Sequence, residues 1–265
     1  MRTPRKADLI TVAVSVLFAA VGLAVSPSPA HAAPSCAPSN PTGSYFDGFW
    51  HNNAAYPQYN WEGASAYIKV WYPGTCSGGF RPWTNAWVMI APSSTQSGGV
   101  GHAQAGYVRD VLPNGTEQFV TFGEFANDAN GDGVINTSSP SEWTRIYWQN
   151  AVSGTAPAYR VLWNASTGRL NASYNGTVFA TSQFNPYNSA WRQPFSPQFM
   201  GETKYQTGNM PGVTGARVNF TALGAQRASD HALVSMSCSM SASNQNTTLW
   251  GLQASSCTAF DIWQK

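Results

Sequence analysis

Between residues 86 and 125 the chain uses one device three times: an apolar run, then a turn. Ala86-Trp87-Val88-Met89-Ile90-Ala91 ends in a Gly/Ser-rich loop. His102-Ala103-Gln104-Ala105-Gly106-Tyr107-Val108 is stopped at Pro113-Asn114-Gly115, and Gln118-Phe119-Val120-Thr121-Phe122-Gly123-Glu124-Phe125 follows. Runs of this length, rich in aromatic and branched residues and closed by Gly, Pro or Asn, read as consecutive strands. A chain built this way must form a sheet with an apolar face to cover. Two polar groups stand inside these strands, the amide of Gln104 and the carboxylate of Glu124.

The remaining sequence continues the pattern. Residues 64–72 alternate and stop at Pro73-Gly74. Residues 158–162, 169–174 and 177–181 read as short strands, the last two joined by Asn175-Gly176, a strong hairpin signal. Further strands are expected at 198–205, carrying a second carboxylate, Glu202, and at 217–223. In the tail, 248–252 is expected to pair with 260–263. Ser139-Pro140-Ser141-Glu142 reads as a capping box with Pro at the first helical position, so one short helix is expected from Pro140 to about Gln149. Many short strands with Gly/Pro turns give an all-β fold, an antiparallel β-sandwich or concanavalin-like jelly roll with one short helix.

Residues 1–32 are not read as fold. Arg2, Arg5 and Lys6 precede an apolar run, and Ala30-His31-Ala32 closes it, the pattern of a secretory signal peptide. The expected organisation is a signal peptide at 1–32, an N-terminal arm at 33–60 rich in Pro, Asn, Ser and Tyr, and a single β-sandwich domain at 61–265. A secreted, extracellular monomer with no membrane contact after signal removal is expected. Charged residues make up only 10% of the chain against 13% aromatics, which does not suit a disordered segment. A net charge of +2, with no Lys/Arg run outside residues 1–32, is too small to imply nucleic-acid binding, and no nucleic acid is expected as partner. Four cysteines, Cys36, Cys76, Cys238 and Cys257, suggest two disulfides in an oxidising compartment, and Cys36–Cys76 with Cys238–Cys257 is one of three connectivities. Asn171 and Asn246 open Asn-x-Ser/Thr triplets, for which chance is the better account in a chain this rich in Asn and Thr.

Asp128-Ala129-Asn130-Gly131-Asp132-Gly133-Val134-Ile135-Asn136 interrupts the strands. Asp128, Asn130 and Asp132 with Gly133 match the start of a calcium loop, in which Val134 would offer its carbonyl and Asn136 the next oxygen. Position 12 is Ser139 where a bidentate Glu is expected. The two readings, a structural calcium and a metal-free Asp/Asn/Gly turn, both stay open. Catalysis is expected to need no cofactor.

The chemistry must come from few groups. No Gly-x-Ser-x-Gly elbow and no His-Glu-x-x-His pair occurs. His51 and His231 are isolated, and His102 shares a strand face with Gln104. A carboxylate set among apolar groups is desolvated and can act as acid or base, and a side-chain amide can stabilise an oxyanion. For each residue alone, an outward polar position on a half-solvated sheet is the favoured account. Gly106 and Gly123 are expected to leave room for a ligand.

Taken in order, the segments resemble the glutamic peptidases, or eqolisins, secreted β-sandwich acid proteases. Trp61-Glu62-Gly63-Ala64 is similar to their opening strand, and Val70-Trp71-Tyr72-Pro73 and residues 86–90 follow. Gln104-Ala105-Gly106, Phe122-Gly123-Glu124-Phe125, and Phe199-Met200-Gly201-Glu202-Thr203 with Arg217-Val218-Asn219-Phe220-Thr221-Ala222 complete the likeness. The resemblance implies a polypeptide substrate, Glu202 as general base, Gln104 as oxyanion stabiliser, and Glu124 and His102 as cleft residues. The sequence pI of about 8.3 is high for an acid protease. The alternative is a polysaccharide-acting jelly roll in which Glu124 and Glu202 form the acid/base and nucleophile pair. Trp71, Trp87 and Tyr107 would stack on sugar rings. A non-catalytic carbohydrate-binding module would use the same aromatics.

Overall fold

The computed structural model describes residues 44–51, 60–74, 83–92, 100–112, 114–191, 193–205 and 207–265. Most of the expected signal peptide and arm, with Cys36 and Cys76, lies outside these residues. The strands are β1 (Tyr45–His51), β2 (Trp61–Ile68), β3 (Trp83–Pro92), β4 (Gly101–Val111), β5 (Glu117–Asn127), β6 (Trp143–Asn150), β7 (Ala158–Asn164) and β8 (Arg169–Tyr174). After them come β9 (Thr177–Thr181), β10 (Phe195–Thr203), β11 (Gly212–Val213), β12 (Ala216–Arg227), β13 (Leu233–Ser235), β14 (Met240–Asn244), β15 (Trp250–Ser256) and β16 (Ala259–Gln264). The fold is an antiparallel jelly-roll β-sandwich. No helix among the described residues is long and apolar enough to cross a membrane.

The front layer runs β6-β5-β4-β3-β10-β1-β14, every neighbour antiparallel. The back layer is built on β9-β8-β7-β2-β12, extended by β13, β16, β15 and β11. The layers join where Phe195 of β10 pairs with Trp61 of β2. Side chains alternate across a strand, so Ala86, Val88 and Ile90 of β3 and Ala103, Ala105 and Tyr107 of β4 face inward. They meet Ala64, Ala66, Tyr159, Val161 and Ala172 of the back layer. Each large side chain sealed in this core contributes on the order of 1.5–3 kcal/mol through burial. Small residues let the layers approach closely: a Cβ on Gly123 would stand 3.0 Å from the Ala172 methyl.

Two expectations are corrected. The helix expected at 140–149 is strand β6, because only one turn forms after Ser139, whose carbonyl accepts from the amides of Glu142 and Trp143. The Trp-Thr-Arg-Ile-Tyr-Trp run that follows is β-forming, and it finds β5 as a partner. The arm expected at 33–60 is not simply a surface arm either. Its residues 45–51 form β1, paired on both sides, with β10 and with β14. The Asn175-Gly176 hairpin forms with both residues at positive φ, 48° and 85°, as its turn type requires. A disulfide joins Cys238 to Cys257.

Gly106 is a point where no side chain fits. A Cβ there would lie 2.0 Å from the Ala86 carbonyl oxygen and 2.8 Å from the Trp87 Cα, backbone atoms that have no room to retreat. Gly106→Val is expected to lower stability by about 1–3 kcal/mol or more, read as a lower thermal midpoint. An unchanged midpoint would mean that β3 and β4 separate at little cost.

Candidate active site

The outer face of the front layer carries a second, smaller apolar cluster around Trp87, Val108, Phe122 and Met200. Three ladder rows of paired residues cross this face. The first runs Trp50, Gln198, Met89, Gln104, Glu124, Arg145. The second runs Gly48, Met200, Trp87, Gly106, Phe122, Tyr147. The third runs Phe46, Glu202, Asn85, Val108, Val120. Glu124 and Glu202 therefore stand diagonally across the middle row, with Trp87 and the side-chain-free Gly106 between them.

The two carboxylates sit in opposite environments. Glu124 is 3% exposed and is held by three donors. Gln104 Nε2 donates to its Oε1 at 3.0 Å, His102 Nε2 lies 2.6 Å from the same oxygen, and Arg145 Nε pairs with Oε2. Burial alone would raise its pKa, but the Arg145 charge and the His102 contact outweigh burial and hold it down at about 2. Glu202, 8% exposed, accepts from Trp87 Nε1 at 2.7 Å and Asn85 Nδ2 at 3.2 Å. Burial raises its pKa and the negative charge of Glu124 adds to that, against the lowering by the Ser44, Trp87 and Asn85 hydrogen bonds. One carboxylate is kept ionised and the other is biased toward keeping its proton.

The structure sorts the remaining sequence candidates by face. Trp87 lies on the site face but is 1% exposed, and its indole serves Glu202 rather than an open surface. Tyr107 is fully buried in the main core and offers no ring to a ligand. Trp71 packs against the main core, and its Nε1 donates to the Arg217 carbonyl at 2.7 Å. Gly123 faces the back layer, so it leaves no room on the site face. Of the other histidines, His51 packs edge-on to Trp61, and His231 sits 2.5 Å from Glu62, which also accepts from the Tyr187 hydroxyl at 2.8 Å. Arg145 and Asn85 are the residues that sequence reasoning missed. The alternation from Trp83 through Asn85 and Trp87 to Met89 held the signal for Asn85. Arg145 was hidden inside the expected helix.

The Asp128 loop turns its oxygens onto its own backbone. Asp128 accepts from the amides of Gly131, Asp132 and Gly133, Asn130 from that of Asp132, and Asp132 from that of Val134. Asn136 gives its amide to Glu142 and accepts from that of Ser138. Among the described residues no cluster of three His, Cys, Asp or Glu is placed to hold a metal ion.

No family model matches the chain, and no curated protein does. Among solved structures it is similar to a Crh5 transglycosylase in complex with NAG, at 11% identity and a TM-score of 0.30 over 54% of this chain and 49% of that one. It is similar to a glycoside hydrolase family 16 endo-glucanase from Bacteroides ovatus in complex with G4G3G-2F-DNP, at 17% identity and a TM-score of 0.30 over 54% and 56%. It is also similar to the kappa-carrageenase from Pseudoalteromonas carrageenovora in complex with an oligotetrasaccharide of kappa-carrageenan, at 14% and 0.26 over 54% and 51%. The chain spans about half the length of these structures.

The glutamic-peptidase expectation, and with it the polypeptide substrate, is corrected. The site departs from the arrangement that the resemblance implied. The resemblance sets Gln104 as oxyanion stabiliser beside Glu202 as general base, yet the Gln104 amide is bound to Glu124, two ladder rows from Glu202.

Proposed function

We propose that this chain is a polysaccharide-cleaving hydrolase that works outside the cell, with Glu202 as general acid and Glu124 as its ionised partner. One observation carries the reading: two buried carboxylates share one face of one sheet while their surroundings pull their protonation apart. Such divergence is how two like residues take up opposite roles in glycoside cleavage. Glu202 would protonate the departing glycosidic oxygen. The anionic oxygens of Glu124, fixed by Arg145, His102 and Gln104, would face the positive charge that develops on the sugar ring. The export pattern of residues 1–32 supports the location.

The test is release of reducing sugar from a panel of polysaccharides. Glu202→Gln and Glu124→Gln are each expected to remove at least 100-fold of kcat/KM, the lower end of what a positioned acid or base supplies, with circular dichroism unchanged. The pH profile has a stated sign. Activity is expected to appear as pH rises past about 2, where Glu124 ionises, and to fall where Glu202 loses its proton, above the ordinary 4.5. Cleavage that survives both substitutions would sink the assignment. Sugar binding without turnover by the unaltered chain would favour the binding module instead.

A further inference from the structure

Beside Glu202 the outer face dips into a hollow of about 230 Å³, lined by Phe46, Trp50, Pro92, Ser196, Gln198, Met200 and Ser243. The ladder fixes its place. Phe46 is the cross-strand partner of Glu202, Met200 is the next residue of β10 on that face, and Trp50 pairs with Gln198. Phe46 and Met200 bring one edge of the hollow to the carboxylate read as the general acid, and the rest runs along β1 and β10 through the ladder row that holds Gln104 and Glu124.

Its chemistry is specific. Phe46 and Trp50 are half-buried and belong to the apolar cluster of the outer face. Phe46 packs edge-on to Trp87 at 6.2 Å, which fixes one wall. Gln198 and Ser243 add an amide and a hydroxyl, while the Ser196 hydroxyl is already committed to the His51 carbonyl at 2.7 Å. Among the described residues no charged side chain lines the hollow. It is smaller than the about 300–1,000 Å³ of drug-sized pockets, so it suits one ring rather than an oligomer. An aromatic wall with a few neutral polar groups fits a ring that is apolar on its face and hydroxylated at its rim. A sulfated or carboxylated sugar would bring a charge that none of the described lining residues neutralises.

We infer that this hollow is a binding subsite for one neutral sugar unit, the unit next to the bond being cleaved, and that the substrate is an uncharged polysaccharide. Trp50 is the platform and Gln198 the polar contact. The inference rests on the hydrolase reading for the position of the bond, but not for the binding of the sugar.

The experiment separates the two. The Glu202→Gln chain is titrated calorimetrically with neutral tetrasaccharides of glucose, mannose and xylose, and with a sulfated carrageenan tetrasaccharide. A neutral tetrasaccharide is expected to bind and the sulfated one not. Adding Trp50→Ala is expected to weaken that binding by roughly tenfold, while Trp50→Phe restores most of it and matches the parent in thermal midpoint. In the otherwise unaltered chain, Trp50→Ala is expected to raise KM with little change in kcat. If the sulfated sugar binds equally well, if Trp50→Ala leaves neutral binding intact, or if no tetrasaccharide binds, the inference is overturned, whether or not the chain cleaves polysaccharide. If Trp50-dependent neutral binding occurs and the unaltered chain cleaves nothing, the subsite stands and the hydrolase reading falls.

Discussion

Replacing Arg145 by methionine is expected to cost the fold about 3–5 kcal/mol at neutral pH and much less near pH 2. Arg145 pairs with a Glu124 that is almost wholly shielded from solvent. Removing the cation leaves a buried anion whose remaining hydrogen-bond partners among the described residues are His102 and Gln104, and an uncompensated charge is far more costly than a lost contact. The sign of the pH effect follows from the protonation states. In the intact protein Glu124 titrates at about 2, below its unfolded value near 4.5, so its ionised form stabilises the fold above 4.5. That contribution, about 3 kcal/mol for a shift of this size, is lost as pH falls toward 2. Without Arg145, burial dominates and the carboxyl is stabler protonated, so acid relieves the variant while it weakens the parent. Urea unfolding of both chains between pH 2 and 7 checks this. A difference that stays constant with pH would show that Arg145 acts by packing over Phe122 and Trp143, whose rings it covers at 5.6 and 5.2 Å.

The second large effect lies on the other side of β1. Asp47 is fully buried opposite Gly201 of β10, and neither of its carboxyl oxygens has a hydrogen-bond partner among the described residues. Burial raises its pKa to about 8, against a smaller lowering by the Lys265 charge. The sign is the reverse of that for Glu124. Between its unfolded value of 3.8 and about 8, the unfolded chain has released the proton that the folded chain keeps, so stability falls as pH rises through this window. The full penalty is on the order of 5 kcal/mol. Asp47→Asn keeps the shape and cannot ionise. The parent is expected to lose stability from pH 4 to 8, and the variant is expected to lack that part of the slope. Parallel slopes in the two chains would remove Asp47 as the cause.

How much of this could be read in the sequence depends on the range of the signal. Strands β3, β4 and β5 were legible because each apolar run ends in its own turn. The Gln104–Glu124 pair is likewise local, two residues facing each other across one antiparallel pair. Strand parity alone would have rejected Tyr107, three residues from Gln104 and so on the opposite face, and Gly123 beside Glu124. What was not legible needed register between distant strands. Nothing near Glu202 says that β10 lies against β3 two rows off Gln104, or that Asn85 and Trp87 would be its hydrogen-bond donors. The helix expected at 140–149 failed for a different reason. The capping signal at Ser139 is local and closes a single turn, so it says nothing of the strand that follows, and Arg145 lies in that strand. β1 was missed because Tyr-Phe-Asp-Gly-Phe-Trp-His sits in a stretch whose composition reads as loop.

The position of β10 has a consequence for how the molecule is made. β3 to β6 are sequence neighbours and can zip together as one local meander, while β10 enters more than a hundred residues after β3 and must also meet β1 from near the start of the described chain. Contacts this far apart are slow to form because the loops they close are long. Until β10 arrives, β3 is an open edge offering unpaired backbone groups and an apolar run to any passing strand. The segment that brings Glu202 onto the face shared with Glu124 is also the one that covers the β3 edge, so a chain still lacking it is prone to associate.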